Sequence, residues 1–282
     1  MSSRVALVLD STSDIPESIA TERQIYVIPL HIIWGKDTLR DRVDITPAQF
    51  YDRLRQDPVL PTTSQPTPSE FAAIYRQAVE ETGADSVLTL TISSDLSGTY
   101  ASAVQAVKMV DFPVQVVDLR SASMATTIPA LQVKDALDAG ATLQEAAKLA
   151  HSLAGRTNLF FTLNTLEYLH KGGRIGGAQR LIGTALNIKP ILTVIDGKVE
   201  AKESIRTRKR ALSRLLDILE EVVDPSKPMQ IGILHGQAPE DASWLEDEIR
   251  RRYSPERLFK TQVGAVIGVH TGPGAVGFAV TQ

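Results

Sequence analysis

Three clusters of hydroxyl side chains stand where strand-like runs end, and with one histidine they are the residues best suited to chemistry. They are Asp10-Ser11-Thr12-Ser13-Asp14, Pro61-Thr62-Thr63-Ser64-Gln65-Pro66 and Ser93-Ser94-Asp95-Leu96-Ser97-Gly98-Thr99. The first N–H groups of a helix lack partners and carry partial positive charge, so hydroxyls gathered at a strand-to-helix turn can hold a carboxylate or a phosphate. One N-cap needs one such residue. The third cluster supplies Ser94, Asp95, Ser97 and Thr99 around Gly98. After the second cluster, Thr67-Pro68-Ser69-Glu70 has capping-box spacing, which leaves Thr63 and Ser64 free for a ligand. Asp10 reads as a turn cap ahead of a metal ligand, because no other carboxylate of that stretch stands at ligand spacing. His270 follows an apolar run and precedes Gly272-Pro273-Gly274, where bare backbone can approach a ligand closely.

Several chemistries are excluded. The 282 residues include no cysteine, hence no disulfide and no thiolate, and no two of the five histidines share metal-ligand spacing. Gly272-Pro273-Gly274-Ala275-Val276-Gly277 fits G-x-G-x-x-G by letter. That fingerprint must open a helix and be followed by an acidic residue about 20 positions on, whereas here a strand is expected, so no nicotinamide site is assigned. A net charge of −3 gives no bulk attraction to nucleic acid. No apolar run reaches the roughly 20 residues of a membrane span, and no secretory pattern precedes Val5, so the expected location is cytoplasmic.

The elements that must position these residues fall into two sets. Val5–Leu9, Val87–Ile92 and Val114–Leu119 are continuous apolar runs alternating with helical patterns, which predicts a parallel sheet with helices on both faces up to Gly155. Ile25–Trp34 reads as one strand that returns through Gly35-Lys36-Asp37 as a hairpin, and Thr46-Pro47 opens a helix. From Asn158 the texture changes. A strand at Leu159–Leu163 leads to a helix from Leu166, Lys171-Gly172-Gly173-Arg174 interrupts it, and a second helix is expected around Ala178–Leu186. Asp196-Gly197 marks a hairpin. A βα unit, a strand at Val263–Val269, a turn at His270–Gly274 and a strand at Val276–Val280 follow. The expected fold class is therefore α/β in two domains: 1–155, a three-layer domain on a parallel sheet, and 156–282, an α/β domain on a mixed sheet. Arg206, Arg208, Lys209 and Arg210 open a helix against its dipole, either as a solvated basic face or as a partner surface shared with Arg174.

Asp10–Pro16, Thr63-Ser64-Gln65-Pro66, Ser93–Tyr100, Leu169-His170-Lys171-Gly172-Gly173-Arg174-Ile175-Gly176, Lys189-Pro190-Ile191-Leu192 and Gly268–Gly274 resemble, in order, the signatures of the DegV family of bacterial fatty-acid-binding proteins. The resemblance implies a two-domain α/β protein that buries one long-chain fatty acid in a tunnel with its carboxylate at the domain junction. It implies a carrier and not an enzyme, with no metal or cofactor beyond the lipid, which hands the acid to a separate fatty acid kinase for phospholipid synthesis. Thr63, Ser94 and His270 are then the carboxylate contacts, Ser64, Ser97 and Gly98 support the loops, and Arg174 and Arg206 face the kinase. It implies no nucleic-acid partner and no integral membrane segment, with transient membrane contact compatible. The family's glycine-containing segment is replaced here by Asp118–Thr127. The rival reading is a hydrolase or phosphoryl-transfer enzyme using Ser94 with His270, for which no third triad member and no Mg²⁺-binding pair are recognisable.

Overall fold

The computed structural model describes residues 4–182 and 188–282. The chain runs β1 (Val5–Asp10), α1 (Glu17–Glu22), β2 (Ile25–Ile28), β3 (His31–Trp34), β4 (Asp37–Arg40), α2 (Pro47–Gln56), β5 (Thr62–Ser64), α3 (Pro68–Thr82), β6 (Ser86–Thr91), α4 (Thr99–Ala106), β7 (Val114–Asp118), α5 (Met124–Asp138) and α6 (Leu143–Ala154). It continues as β8 (Thr157–Thr162), α7 (Glu167–Lys171), β9 (Lys189–Ile195), β10 (Lys198–Ile205), α8 (Arg208–Val222), β11 (Gln230–His235), α9 (Pro239–Arg252), β12 (Arg257–Gln262), α10 (Ala265–Thr271) and β13 (Val276–Thr281).

The α/β class in two parts is what the structure shows. A parallel sheet in the order β2-β1-β6-β7 belongs to the first part, and a mixed sheet in the order β10-β9-β8-β13-β11-β12 to the second. β1 and β6 are covered on both faces, which is why they are apolar without alternation. α5 lies between the sheets, packing on β1 and β6 on one side and on β8, β11 and β13 on the other. Its residues from Met124 to Leu131 are all buried, so it shows no polar stripe. Thr126 and Thr127 satisfy their hydroxyls on the Ser123 and Ser13 carbonyls. Gly232 of β11 permits the close approach, since a Cβ there would lie 2.5 Å from Met124.

Some expected elements differ. The strand expected over Ile25–Trp34 breaks at Pro29, which has no N–H to donate to a ladder. β2 joins the parallel sheet, while β3 enters a separate antiparallel sheet, β4-β3-β5, built on the expected hairpin. In that sheet β5, a segment read as loop, pairs Thr63 with Ile32. The strand expected over Val263–Val269 is the helix α10, and His270 sits in its last turn. β-branched residues favour strands, but tertiary contacts outweigh propensity here. The Asp14 and Asp41 carboxylates accept from Gly264 N–H at 2.7 Å and Ala265 N–H at 3.1 Å, and bare Gly268 packs against Phe50. Of the second helix expected around Ala178–Leu186, a 3₁₀ turn at Gly176–Leu181 is seen, and 183–187 lie outside the described residues. The G-x-G-x-x-G letters lead from α10 into β13, a strand.

Asp14 gathers the fold around one buried carboxylate. It is fully buried in a left-handed turn and accepts from Arg42 Nη2 at 2.9 Å and from the Ser123 hydroxyl at 2.6 Å as well as from Gly264. Arg42 also donates to the Gln262 carbonyl, so both parts of the chain meet at this pair. Removing one partner of a buried pair leaves an uncompensated charge. Arg42→Met is expected to lower stability by about 3–5 kcal/mol, read as a reduced urea midpoint with an unchanged slope.

Candidate functional site

An inner cavity lies where the two parts of the chain meet, lined by residues of both. Apolar side chains from both parts wall it, among them Ile92 and Leu96 from the first and Phe161, Val194, Val199 and Leu234 from the second. Thr63, Ser64, Gln65, Ser97, His270 and Arg174 mark its polar end, and Thr12, Ser123 and Thr271 add further hydroxyl-bearing residues to the lining. Arg174 is the one charged side chain that lines it among the described residues.

The polar end is assembled by three loci distant in sequence. β5 presents Thr63 and Ser64, held there by its pairing with β3. α10 presents His270, placed by the carboxylates at its start. The chain after α7 presents Arg174, whose guanidinium donates to the Leu96 carbonyl at 3.0 Å and to the Gly172 carbonyl at 2.9 Å. Thr63 Oγ1 and His270 Nε2 are 3.0 Å apart. His270 Nδ1 is buried without a partner among the described residues and lies against Gly172, where a Cβ would come within 2.2 Å of it. Gly172 is thus required by close approach and not by its backbone angles. Burial and the nearby positive charge of Arg174 hold the His270 pKa down to about 4, so the imidazole is neutral at physiological pH.

The structure therefore unites Thr63 and His270, with Ser64 and Ser97 beside them in the lining. Gly98 does not line the cavity; its bare Cα lets Gln65, which does, pack against it. Ser94 is exposed in the turn, its N–H donating to Asp118 at 3.2 Å, and it lines neither the inner cavity nor the chamber that adjoins it at His270. Arg206 is exposed between β10 and α8 and lines neither as well. Arg174, expected on a partner face, reaches the polar end itself. Asp10 caps, as expected: it accepts from Thr12 N–H at 2.9 Å and from Ile92 N–H at 2.8 Å, joining the first hydroxyl cluster to the third. Sequence reading missed the part played by Asp14 and Arg42, and Gln65. For Asp14 a signal existed, a carboxylate directly after a hydroxyl run at a strand end, but nothing in the sequence tied it to Arg42 or Gly264. No group of three potential metal ligands occurs among the described residues.

Such a molecule is a two-part α/β protein with an apolar internal cavity closed by a hydroxyl–imidazole pair. The DegV family profile, described as "Uncharacterised protein, DegV family", matches residues 4–282. The chain belongs to the DegV family. It is 39% identical to a DegV domain-containing protein of Streptomyces coelicolor over the full length of both chains. A Thermus thermophilus DegV family protein, described as fatty acid binding, superposes with a TM-score of 0.93 at 37% identity, covering 99% of each chain. DegV of Bacillus subtilis, described as a fatty acid binding protein, superposes with a TM-score of 0.90 at 33% identity, again covering 99% of each chain.

The depressed His270 pKa has a stability consequence. As pH falls from the ordinary value near 6.5 to about 4, the unfolded chain takes up a proton at His270 that the native protein does not, so stability is lost across that window. The loss is on the order of 3 kcal/mol. Wild type and His270→Gln are expected to diverge in unfolding free energy across that window, the variant lacking this part of the slope. Gly172→Ala is expected to displace the imidazole from Thr63, seen as a shifted His270 ring resonance with a loss of about 1–3 kcal/mol in stability.

Proposed function

We propose that the inner cavity holds one long-chain fatty acid with its carboxylate at the Thr63–His270 pair, and that the chain is a lipid carrier and not an independent enzyme. The observation that carries this reading is the cavity: its lining is mostly apolar, its polar groups include the paired Thr63 and His270, and no acidic side chain lines it among the described residues. Relatives described as fatty acid binding share the whole fold. About 14 methylenes at roughly 0.8 kcal/mol each supply on the order of 11 kcal/mol before entropic costs, so the tail dominates affinity.

The head then needs orientation. In the tautomer with the proton on Nε2, His270 donates to Thr63 Oγ1, 3.0 Å away, and the Thr63 hydroxyl proton is free for one carboxylate oxygen. Ser97, which lines the cavity, takes the place expected for Ser94. Arg174 supplies positive potential that keeps the acid ionised. A carboxylate held by hydroxyls and a neutral imidazole remains nucleophilic, because no bidentate ion pair has to be broken. The sequence has no phosphate-binding P-loop, which accords with a separate kinase binding the ATP. In that complex a carboxylate oxygen bonds to the terminal phosphorus as the bond to the bridging oxygen of ADP breaks, leaving acyl phosphate and ADP. The kinase meets the face that carries Arg174 and Arg206, in the cytoplasm, and the product serves phospholipid synthesis.

Organic extraction of the purified protein and mass spectrometry are expected to show one long-chain fatty acid per chain. An empty extract, with no uptake of added acid, overturns the reading. His270→Ala is expected to retain the lipid while slowing acyl-phosphate formation with a cognate kinase by about 100-fold; an unchanged rate removes His270 from the account.

A further inference from the structure

Most of the inner cavity's wall is hydrocarbon, yet Thr12 and Ser123 stand in it, and both are buried. Holding a carboxylate at the Thr63–His270 pair gives them no task. The two are neighbours, since the Ser123 N–H donates to the Thr12 carbonyl at 2.9 Å. They also sit away from the head pair. The Ser123 hydroxyl bonds the Asp14 carboxylate, which takes the N–H of Gly264 just ahead of α10, whereas His270 lies in the last turn of that helix. Six residues at the helical rise set the two ends of α10 about 9 Å apart, more than one carboxylate spans.

The protons of both hydroxyls are already committed. Thr12 Oγ1 donates to Asp10, and Ser123 Oγ donates to Asp14 at 2.6 Å. Among the described residues no donor reaches either oxygen, so each offers lone pairs and no proton. The group that complements them is a donor. A methylene passes such oxygens without orphaning a proton, a hydroxyl on the chain gives them one, and a carbonyl meets only further lone pairs. Ser123 is kept in place at a cost. Its φ of 55° lies in the region that favours glycine, and the bonds to Asp14 and Thr12 hold it there.

We infer that Thr12 and Ser123 form a hydroxyl-recognition site in the wall of the inner cavity, which extends the ligand class to long-chain acids hydroxylated at an interior carbon. The inference rests on the fatty-acid reading of the cavity. It makes the tail, as well as the head, a part of the ligand that polar groups of the protein sort. In an all-hydrocarbon wall an interior hydroxyl would be buried with its proton unpaired. Here the wall supplies the acceptors, and an oxo group at the same carbon finds no donor.

The test is calorimetric titration of the delipidated protein with hexadecanoate and with its hydroxy and oxo derivatives at the eighth carbon, in wild type, Thr12→Val and Ser123→Ala. Wild type is expected to bind the hydroxy acid within about threefold of hexadecanoate and the oxo acid about thirtyfold more weakly. In each variant the hydroxy acid should lose about tenfold relative to hexadecanoate. Both readouts are ratios within one protein, so a change in a variant's stability cancels. If hexadecanoate binds wild type but the hydroxy acid binds no better than the oxo acid, or if their ratio survives both substitutions, the site is overturned and the fatty-acid reading stands. If none of the three acids binds, the fatty-acid reading fails and the inference with it. The wild-type comparison decides the matter even where a variant does not fold.

Discussion

The buried ion pair between Asp14 and Arg42 is the constraint on which the rest of the structure turns. A carboxylate removed from water must be met by several donors, and those it finds come from the loop after β4, the start of α5 and the residue before α10. Satisfying that one charge fixes how the parallel sheet, the central helix and the C-terminal part sit together. Burial raises the pKa of Asp14 even so, against the lowering effect of Arg42, and Asp41 beside it is pushed up to about 6. Buried ionic clusters contribute less to net stability than to the choice of one arrangement. Here the arrangement chosen is a short helix that carries His270 in its last turn.

The site depends on a division of labour between dry and polar walls. The apolar lining comes from the mixed sheet, from α10 and from first-part loops that carry Leu30, Ile92 and Leu96, so no single part of the chain could form it. The polar end is built from backbone-anchored groups: Thr63 on a paired strand, Arg174 on two carbonyls, and His270 against a glycine. Each is oriented by neighbours before any ligand arrives, which reduces the entropy lost on binding.

Much of this was legible in the sequence. Thr67 forms the capping box its spacing implied, Thr46-Pro47 opens the expected helix, Asp196-Gly197 turns the expected hairpin with both residues at positive φ, and the parallel sheet follows from unbroken apolar runs. Thr63 stood out because Thr67 beside it already served as the cap, and His270 because Gly272 and Gly274 follow it. What could not be read was set by contacts distant in sequence. Val263–Val269 carries strand-forming residues, yet two aspartates from 224 positions away or more supply the first turn of a helix. Ser94 and Ser97 are equivalent by composition, and only the path of the turn decides which of them meets the cavity.

α5 has a further consequence. A hinge between the sheets would have to strip one side or the other of a helix buried along both, exposing Met124 and Ile128 to water. The two halves are therefore poorly suited to parting like a clamshell, and the easy motions belong to the rim, to turns and chain ends that carry little buried surface. In terms of native-state fluctuation, the amides of α5 belong to the last unit to open, while the path to the interior is set by the cheapest local displacement around it. Wholesale opening of this layout would have to displace the helix that both sheets bury.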